Sequence, residues 1–103
     1  MVEFEAVKYE AKLYVDEVRH KLPIDKAILF GSYANGNASE SSDVDIAFFI
    51  SDLGGKTRFE LGLTLIRMTH DYKAYIEPVV FQTSEIERGN PFVNEILRTG
   101  YEI

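Results

Sequence analysis

Two apolar runs constrain the fold of this chain more than any other feature, because polar residues follow the first run and open the second. The first run, Ala27-Ile28-Leu29-Phe30, is followed at once by Gly31-Ser32, and the second is opened by Asp43-Val44-Asp45. Both runs have the composition of buried strands. On a strand, Asp43 and Asp45 point to the same face, roughly 6.6 Å apart. Two carboxylates on one face beside an apolar core repel each other unless a cation lies between them. The pattern therefore indicates a divalent cation.

The Gly31-Ser32 pair has the composition of a turn that binds anions. Gly31 allows the backbone to approach a phosphate closely or to adopt a φ that other residues avoid. Ser32 adds a hydroxyl donor, and the backbone N–H groups of Ser32 and Tyr33 point at an anion if a helical turn begins here. Because Mg²⁺ prefers oxygen ligands and often binds together with substrate phosphates, the combination favours a magnesium–nucleotide site.

The composition is typical of one small globular domain. The chain has 103 residues, which is enough to bury a core, and we expect a single domain over residues 1–103. It has no cysteine, so any metal is held by oxygen or imidazole, as fits a reducing cytoplasm. A net charge of −6 argues against direct binding of nucleic acid and suits a cation or a basic protein partner. Neither a signal peptide nor a membrane-spanning run is recognisable, so we expect a cytoplasmic protein.

The spacing of apolar residues predicts helices that alternate with strands. The first helix ends at Pro23, and strands follow at Asp25–Phe30 and Asp43–Ile50, with a loop at Asn35–Ser42 between them. A third strand at Tyr75–Phe81 contains Pro78, which cannot donate to a ladder and therefore belongs at an edge or a bulge. The apolar face of the first helix consists of Phe4, Val7, Ala11, Tyr14, Val18 and Leu22.

Capping signals predict the remaining elements. Thr57-Arg58-Phe59-Glu60 is a capping box, which predicts a helix from Thr57 to about His70. This helix is apolar on two nearly opposite sides, and two interpretations stay open: an edge element covers the second side, or that side binds a protein partner. One side carries Phe59, Leu63, Ile66 and His70, and the other carries Leu61, Leu65 and Met68. A second capping box at Ser84–Glu87 predicts a short helical turn that ends at Gly89. A last helix begins at Asn90-Pro91 and ends at Gly100. A short strand is predicted at Tyr101–Ile103.

Glu77 is the best candidate for a third carboxylate beside the two aspartates. A charged residue within an apolar strand needs a reason, and facing the aspartates across a neighbouring strand supplies one. A third carboxylate would complete a two-metal arrangement. Asp-x-Asp, Gly-Ser and a lone Glu are each common in unrelated contexts, but in this order on these elements they form a specific constellation.

Two segments resemble the signature of the DNA-polymerase-β-like nucleotidyltransferase superfamily: Gly31-Ser32-Tyr33-Ala34-Asn35-Gly36 and Ser42-Asp43-Val44-Asp45-Ile46. The short length resembles the minimal nucleotidyltransferases within it. This resemblance implies an α/β (α+β) fold, with a mixed β-sheet flanked by helices. It also implies Mg²⁺-dependent transfer, with two ions, of a nucleoside monophosphate from a nucleoside triphosphate to a hydroxyl. We expect AMP from ATP, and another nucleoside triphosphate is the alternative. The same resemblance implies that the nucleotide is bound by Gly31, Ser32 and Tyr33. It implies that the metal ligands and catalytic residues are Asp43, Asp45 and Glu77. Glu77 would also help to deprotonate the acceptor hydroxyl.

The resemblance also implies a partner protein. Minimal members are typically paired with a small all-helical protein of the HEPN type, in what looks like a toxin–antitoxin module, so the expected acceptor is a hydroxyl of that partner.

One departure from the family motif is Asn35, where the family often has Arg, whose guanidinium is a fixed fork of donors. It supports an alternative function, a catalytically weak subunit that neutralises its partner by steric contact. A small-molecule acceptor is less favoured because we expect no second domain, and a plain metal-binding domain would leave the Gly-Ser turn unexplained.

Overall fold

The computed structural model describes residues 4–36, 38 and 43–103, so most of the predicted loop at Asn35–Ser42 lies outside the described residues. The helices are α1 (Phe4–Lys21), α2 (Arg58–Arg67), α3 (Ser84–Arg88) and α4 (Pro91–Thr99). The strands are β1 (Lys26–Phe30), β2 (Val44–Ile50), β3 (Ile76–Gln82) and β4 (Tyr101–Glu102), and 3₁₀ segments lie at Gly31–Tyr33 and Met68–Asp71. The predicted elements are all present within a few residues of the expected bounds.

The four strands form one mixed sheet in the order β3-β2-β1-β4. β1 pairs antiparallel with β2 and with β4, whereas β2 and β3 are parallel. The predicted mixed sheet flanked by helices is therefore confirmed. β3 lies at an edge, which confirms the placement of Pro78, because its missing N–H group removes no hydrogen bond from a central ladder.

Helices cover both faces of the sheet. Alternate residues of β2 divide between the two faces: Ile46 and Phe48 pack in the cluster with α1 and α2, whereas Phe49 packs in the cluster with α4. The buried hydroxyl of Tyr14 on α1 donates to the carbonyl of Leu65 on α2 at 2.7 Å. This bond satisfies a polar group within the core and ties the two helices together.

The predicted caps at Thr57, Asn90 and Gly89 are present in the structure, and the one at Ser84 is not. Thr57 forms the complete capping box with Glu60, and the Asn90 side chain accepts from the backbone of Phe92 and of Val93. Gly89 ends α3 in the left-handed conformation. The predicted box at Ser84 is wrong, because the residue at that cap is Thr83, whose hydroxyl donates to Asp25 at 2.6 Å instead of capping the helix.

Gly100 ends α4 as predicted, but for a different reason. Its φ is −85°, which any residue adopts, so a left-handed turn is not what favours glycine here. A Cβ atom at this position would collide with the Ile28 side chain and with the carbonyl oxygens of Ile96 and Leu29. Glycine therefore lets the chain pass close to β1 before it pairs as β4.

The second apolar side of α2 is not covered by any part of the chain that the structure describes. Phe59, Leu63 and Ile66 are 73%, 37% and 54% exposed, whereas Leu61 and Leu65 are buried in the core. The interpretation in which an edge element covers this side is therefore wrong for the described residues. No helix among these described residues has the length and hydropathy needed to cross a membrane.

Candidate active site

Strand pairing brings the candidate residues to one end of the central strands. Asp45 lies opposite Phe30 in the ladder between β1 and β2, and opposite Glu77 in the parallel ladder between β2 and β3. Asp43 is exposed just before β2, and the N–H of Val44 donates to the carbonyl of Tyr75 at 2.7 Å. The residues predicted to be catalytic, Asp43, Asp45 and Glu77, are therefore neighbours, as the sequence predicts.

Gly31 lies directly against the Asp45 carboxylate. Its φ is +78°, and an added Cβ atom would overlap Asp45 Oδ2 and lie 3.3 Å from Cγ. Only glycine combines this left-handed conformation with so close an approach. The glycine of the predicted anion-binding turn is thus also the residue that makes room for the central aspartate.

The turn after β1 is a single helical turn, which is the condition for its N–H groups to point at an anion. Gly31–Tyr33 is a 3₁₀ segment, and its first carbonyl accepts from the backbone of Ala34 at 3.0 Å and of Asn35 at 3.1 Å. The Tyr33 side chain is buried in the core, so its predicted contribution to nucleotide binding is limited to the backbone. Ser32 is half-buried beside it.

The Asn35 side chain stabilises this turn through hydrogen bonds. In the amide orientation that satisfies its neighbours, Asn35 Nδ2 donates to the carbonyl of Gly31 at 3.2 Å and to that of Ser32 at 3.0 Å. A short neutral side chain therefore closes the turn through two hydrogen bonds. The position where the family often has Arg has a structural role here.

The pKa values of Asp45 and Glu77 are both raised in this cluster. The pKa of Glu77 is raised by a hydrogen bond shared with Asp43, by burial and by the charge of Asp45. Burial and the charge of Asp43 raise the pKa of Asp45, against a hydrogen bond with Glu77 that lowers it. Full ionisation of this cluster is therefore costly unless a cation is present.

The donor set fits Mg²⁺ by its chemistry. All three side chains offer hard oxygen ligands, and Mg²⁺ usually takes one or two carboxylates and completes its octahedron with water and substrate phosphates. Among residues 4–36, 38 and 43–103, no three His, Cys, Asp or Glu side chains are arranged as a ready-made cage.

An open groove of about 410 Å³ adjoins the acidic cluster. Its lining includes Asp43 and Glu77 from the cluster together with the segment that joins α2 to β3. The lining residues are Asp43, Thr69, His70, Tyr72, Lys73, Ala74, Tyr75, Ile76 and Glu77. Sequence reasoning did not predict the contribution of Thr69, His70 and Tyr75, although their position shortly before Glu77 was a usable signal.

A family model places the chain among known proteins. The model described as "Polymerase beta, Nucleotidyltransferase" matches residues 15–103. The chain belongs to the polymerase beta nucleotidyltransferase family. The match spans the glycine turn, both aspartates and Glu77, and it confirms the resemblance read from the two motifs.

Two further proteins resemble this nucleotidyltransferase family member. A protein of Methanocaldococcus jannaschii named "putative protein adenylyltransferase" is 28% identical over 81 residues, covering 78% of this chain and 79% of that protein. A crystal structure of a "putative nucleotidyltransferase" from Sulfolobus solfataricus superposes with a TM-score of 0.67 at 24% identity, covering 82% of this chain and 75% of that one. The second similarity supports the same fold.

Proposed function

We propose that this nucleotidyltransferase is a Mg²⁺-dependent enzyme that transfers AMP from ATP to a hydroxyl of a partner protein. The observation that supports this most directly is the pairing of Asp45 with Glu77, beside the turn that begins at Gly31. It places three carboxylates next to a helical turn whose N-terminus suits phosphate. The proposal treats residues 1–103 as one catalytic domain acting in the cytoplasm.

Each residue has a distinct task in this proposal. The backbone of Gly31 and Tyr33 and the backbone and hydroxyl of Ser32 hold the β- and γ-phosphates. Asp43, Asp45 and Glu77 would hold the two Mg²⁺ ions. When bound, the ions neutralise the charge of the triphosphate and of the departing pyrophosphate.

Glu77 also receives a proton in the transfer step. The acceptor oxygen forms a bond to the α-phosphorus as the bond between that phosphorus and the oxygen bridging to the β-phosphate breaks. Pyrophosphate leaves, and the hydroxyl proton passes to the Glu77 carboxylate. In-line displacement requires the acceptor to approach from the side opposite the leaving group. The groove beside Glu77 lies next to the carboxylates and is open to such an acceptor.

The protein nature of the acceptor is supported by two observations. The relative from M. jannaschii bears the name of a protein adenylyltransferase, and the groove is open to solvent along the α2–β3 segment. We propose a small helical partner of the HEPN type, with the chain acting as the antitoxin of the pair. The exposed apolar side of α2 also favours a second candidate, a subunit that neutralises the partner by contact alone.

Labelled ATP distinguishes the two functions. The chain is incubated with Mg²⁺, ATP labelled in the α-phosphate, and the purified product of the neighbouring reading frame, which we expect to become labelled. Asp43→Asn or Asp45→Asn should abolish labelling without unfolding the protein, whereas Asp16→Asn, at an exposed carboxylate on α1, should have no effect. If the neighbour is bound and inhibited but never labelled, the contact-only function is correct.

A further inference from the structure

We propose that the acceptor protein docks on the exposed apolar side of α2 through an amphipathic helix flanked by acidic residues. We call this surface, formed by Phe59, Leu63 and Ile66, the α2 stripe. The docked protein then delivers its hydroxyl into the groove beside Glu77. This inference rests on the proposed adenylyl transfer and adds the place and chemistry of the partner.

The α2 stripe is not needed for the fold. Its three side chains recur at the spacing that lines up residues along one side of a helix. They are 73%, 37% and 54% exposed, while Leu61 and Leu65 hold the opposite side of α2 in the core. A continuous apolar row on a helix that is already anchored is typical of a surface that binds another helix.

The C-terminal end of the α2 stripe lies near the acidic cluster of Asp43, Asp45 and Glu77. At the start of α2, the Arg58 guanidinium donates to the carbonyl of Val80 at 2.6 Å and 3.1 Å, towards the far end of β3 from Glu77. At the other end of α2, His70 continues the same side of the helix and lines the groove that contains Glu77. Phe59 and Ile66 are separated by about 10 Å along the axis. A helix lying on the stripe therefore ends beside the groove.

The charges around the stripe have the opposite sign to the chain as a whole. Around the stripe, residues 56–73 contain the cationic side chains Lys56, Arg67 and Lys73 and the acidic ones Glu60 and Asp71, although the net charge of the chain is −6. Arg58 does not add to this positive charge, because it turns towards β3 and pairs with Glu85 at 3.6 Å. A shallow groove of about 270 Å³ alongside the stripe is lined by Lys56, Glu60, Leu63, Thr64 and Arg67. Charge complementarity thus favours a partner helix with acidic residues beside its apolar face.

The area of the stripe argues against a second copy of this chain. A stable interface buries roughly 800 Å² per partner, and three exposed side chains on a helix of ten residues supply only part of that. An acceptor that also enters the adjoining groove of about 410 Å³ buries the remainder. The groove and the stripe together therefore suit a substrate protein better than self-association.

Site-specific photo-crosslinking tests where the acceptor docks. Benzoylphenylalanine replaces Leu63 in an Asp43→Asn background, so that contact is measured without catalysis. The same amino acid at Leu13, which is 43% exposed on α1, is the control. With the purified product of the neighbouring reading frame, we expect a crosslink from position 63 and none from position 13. Crosslinks from both positions, or from neither, would overturn the inference.

Substitutions in the α2 stripe distinguish loss of partner docking from loss of the transfer reaction. Phe59→Asp and Ile66→Asp should each reduce labelling of the neighbour by at least about tenfold while leaving the affinity for MgATP and the unfolding temperature unchanged. Leu13→Asp should label normally. Unchanged labelling in both stripe variants would refute the docking surface, whereas failure of the unmodified protein to bind MgATP would refute the proposed function itself.

A charge substitution tests the acidic character of the partner. Arg67→Glu should weaken binding of the neighbour, and the loss should shrink as salt is added because exposed charges are screened. Arg88→Glu, on α3, is the matched control and should bind normally. Equal binding by both variants at low salt would exclude an acidic partner helix.

Discussion

The carboxylate of Asp45 lies in the space that a side chain at Gly31 would need. The two residues come from consecutive strands, and the ladder between β1 and β2 holds them together because Phe30 pairs with Asp45. An added Cβ atom at Gly31 would overlap Asp45 Oδ2. A side chain at Gly31 would therefore displace the Asp45 carboxylate, so the turn after β1 and this aspartate cannot change independently.

Gly31→Ala should destabilise the protein and also impair nucleotide binding. An alanine at φ +78° costs about 1–2 kcal/mol of backbone strain, and its methyl group displaces the Asp45 carboxylate. Gly55 has a φ of +79° with no atom within 4 Å of its added Cβ, so Gly55→Ala carries the strain alone. We expect both variants to lose free energy of unfolding in urea, and only Gly31→Ala to bind MgATP more weakly by calorimetry. Equal MgATP affinities would contradict the coupling.

Asp45→Asn should stabilise the metal-free protein. Burial and the neighbouring Asp43 disfavour a charge at this position, so a neutral amide of similar shape removes a repulsion. The unfolding midpoint of the variant should therefore lie above that of the wild type in scanning calorimetry with chelator present. Addition of Mg²⁺ should raise the midpoint of the wild type and not that of the variant. A variant less stable than the wild type in chelator would mean that Asp45 has a structural role.

The sequence predicts the parts of this site that depend on local pattern. Asp43 and Asp45 were expected together because they are two residues apart at the start of a strand, and the structure places Asp43 directly before β2 and Asp45 within it. Thr57 caps its helix through residues three positions apart. The position of Glu77 depends on something else, the parallel register between β2 and β3. That register joins two strands separated in the chain by α2, and nothing local to either strand determines it, so sequence reasoning could propose the meeting of Glu77 with Asp45 but could not derive it.

Competition between side chains explains the capping box that failed. Ser84-Glu85-Ile86-Glu87 has the right residue types, and Glu85 does accept a backbone bond, from Gln82 at 2.9 Å. The helix nevertheless begins one residue earlier than the box requires, because Thr83 is held by Asp25, 58 residues away in sequence. A motif of four residues contains no information about so distant a partner.

Asp25 should contribute to stability at neutral pH and lose that contribution in acid. Hydrogen bonds from the side chains of Thr83 and Ser51 lower its pKa below the usual 3.8. Because the folded pKa is the lower one, the stabilisation is present above the unfolded pKa and is lost as pH falls through the folded value. Asp25→Asn should therefore be less stable than wild type in urea at pH 7, with the difference shrinking below about pH 4. A difference that is constant over this range would show that ionisation of Asp25 is irrelevant.

Asn35→Ala should weaken triphosphate binding without much effect on unfolding. The amide closes the turn through the carbonyls of Gly31 and Ser32, and each bond of this kind is worth about 1 kcal/mol. We expect MgATP affinity to fall severalfold in calorimetry. Asn94→Ala, at an exposed asparagine on α4, serves as the control. An unchanged affinity would show that the turn keeps its shape without Asn35.

Glu77→Gln should slow the transfer step more than it weakens nucleotide binding. Glutamine keeps the size of the side chain but cannot accept the acceptor's proton as a base, and positioned bases contribute about 10²–10⁴-fold to rate. Single-turnover labelling at saturating MgATP should therefore fall by at least about a hundredfold, while the Kd for MgATP changes little. Glu87→Gln, on α3 and exposed to solvent, should transfer at the normal rate. Equal losses in rate and affinity would make Glu77 a metal ligand without a role as base, and an unchanged rate would remove it from the site.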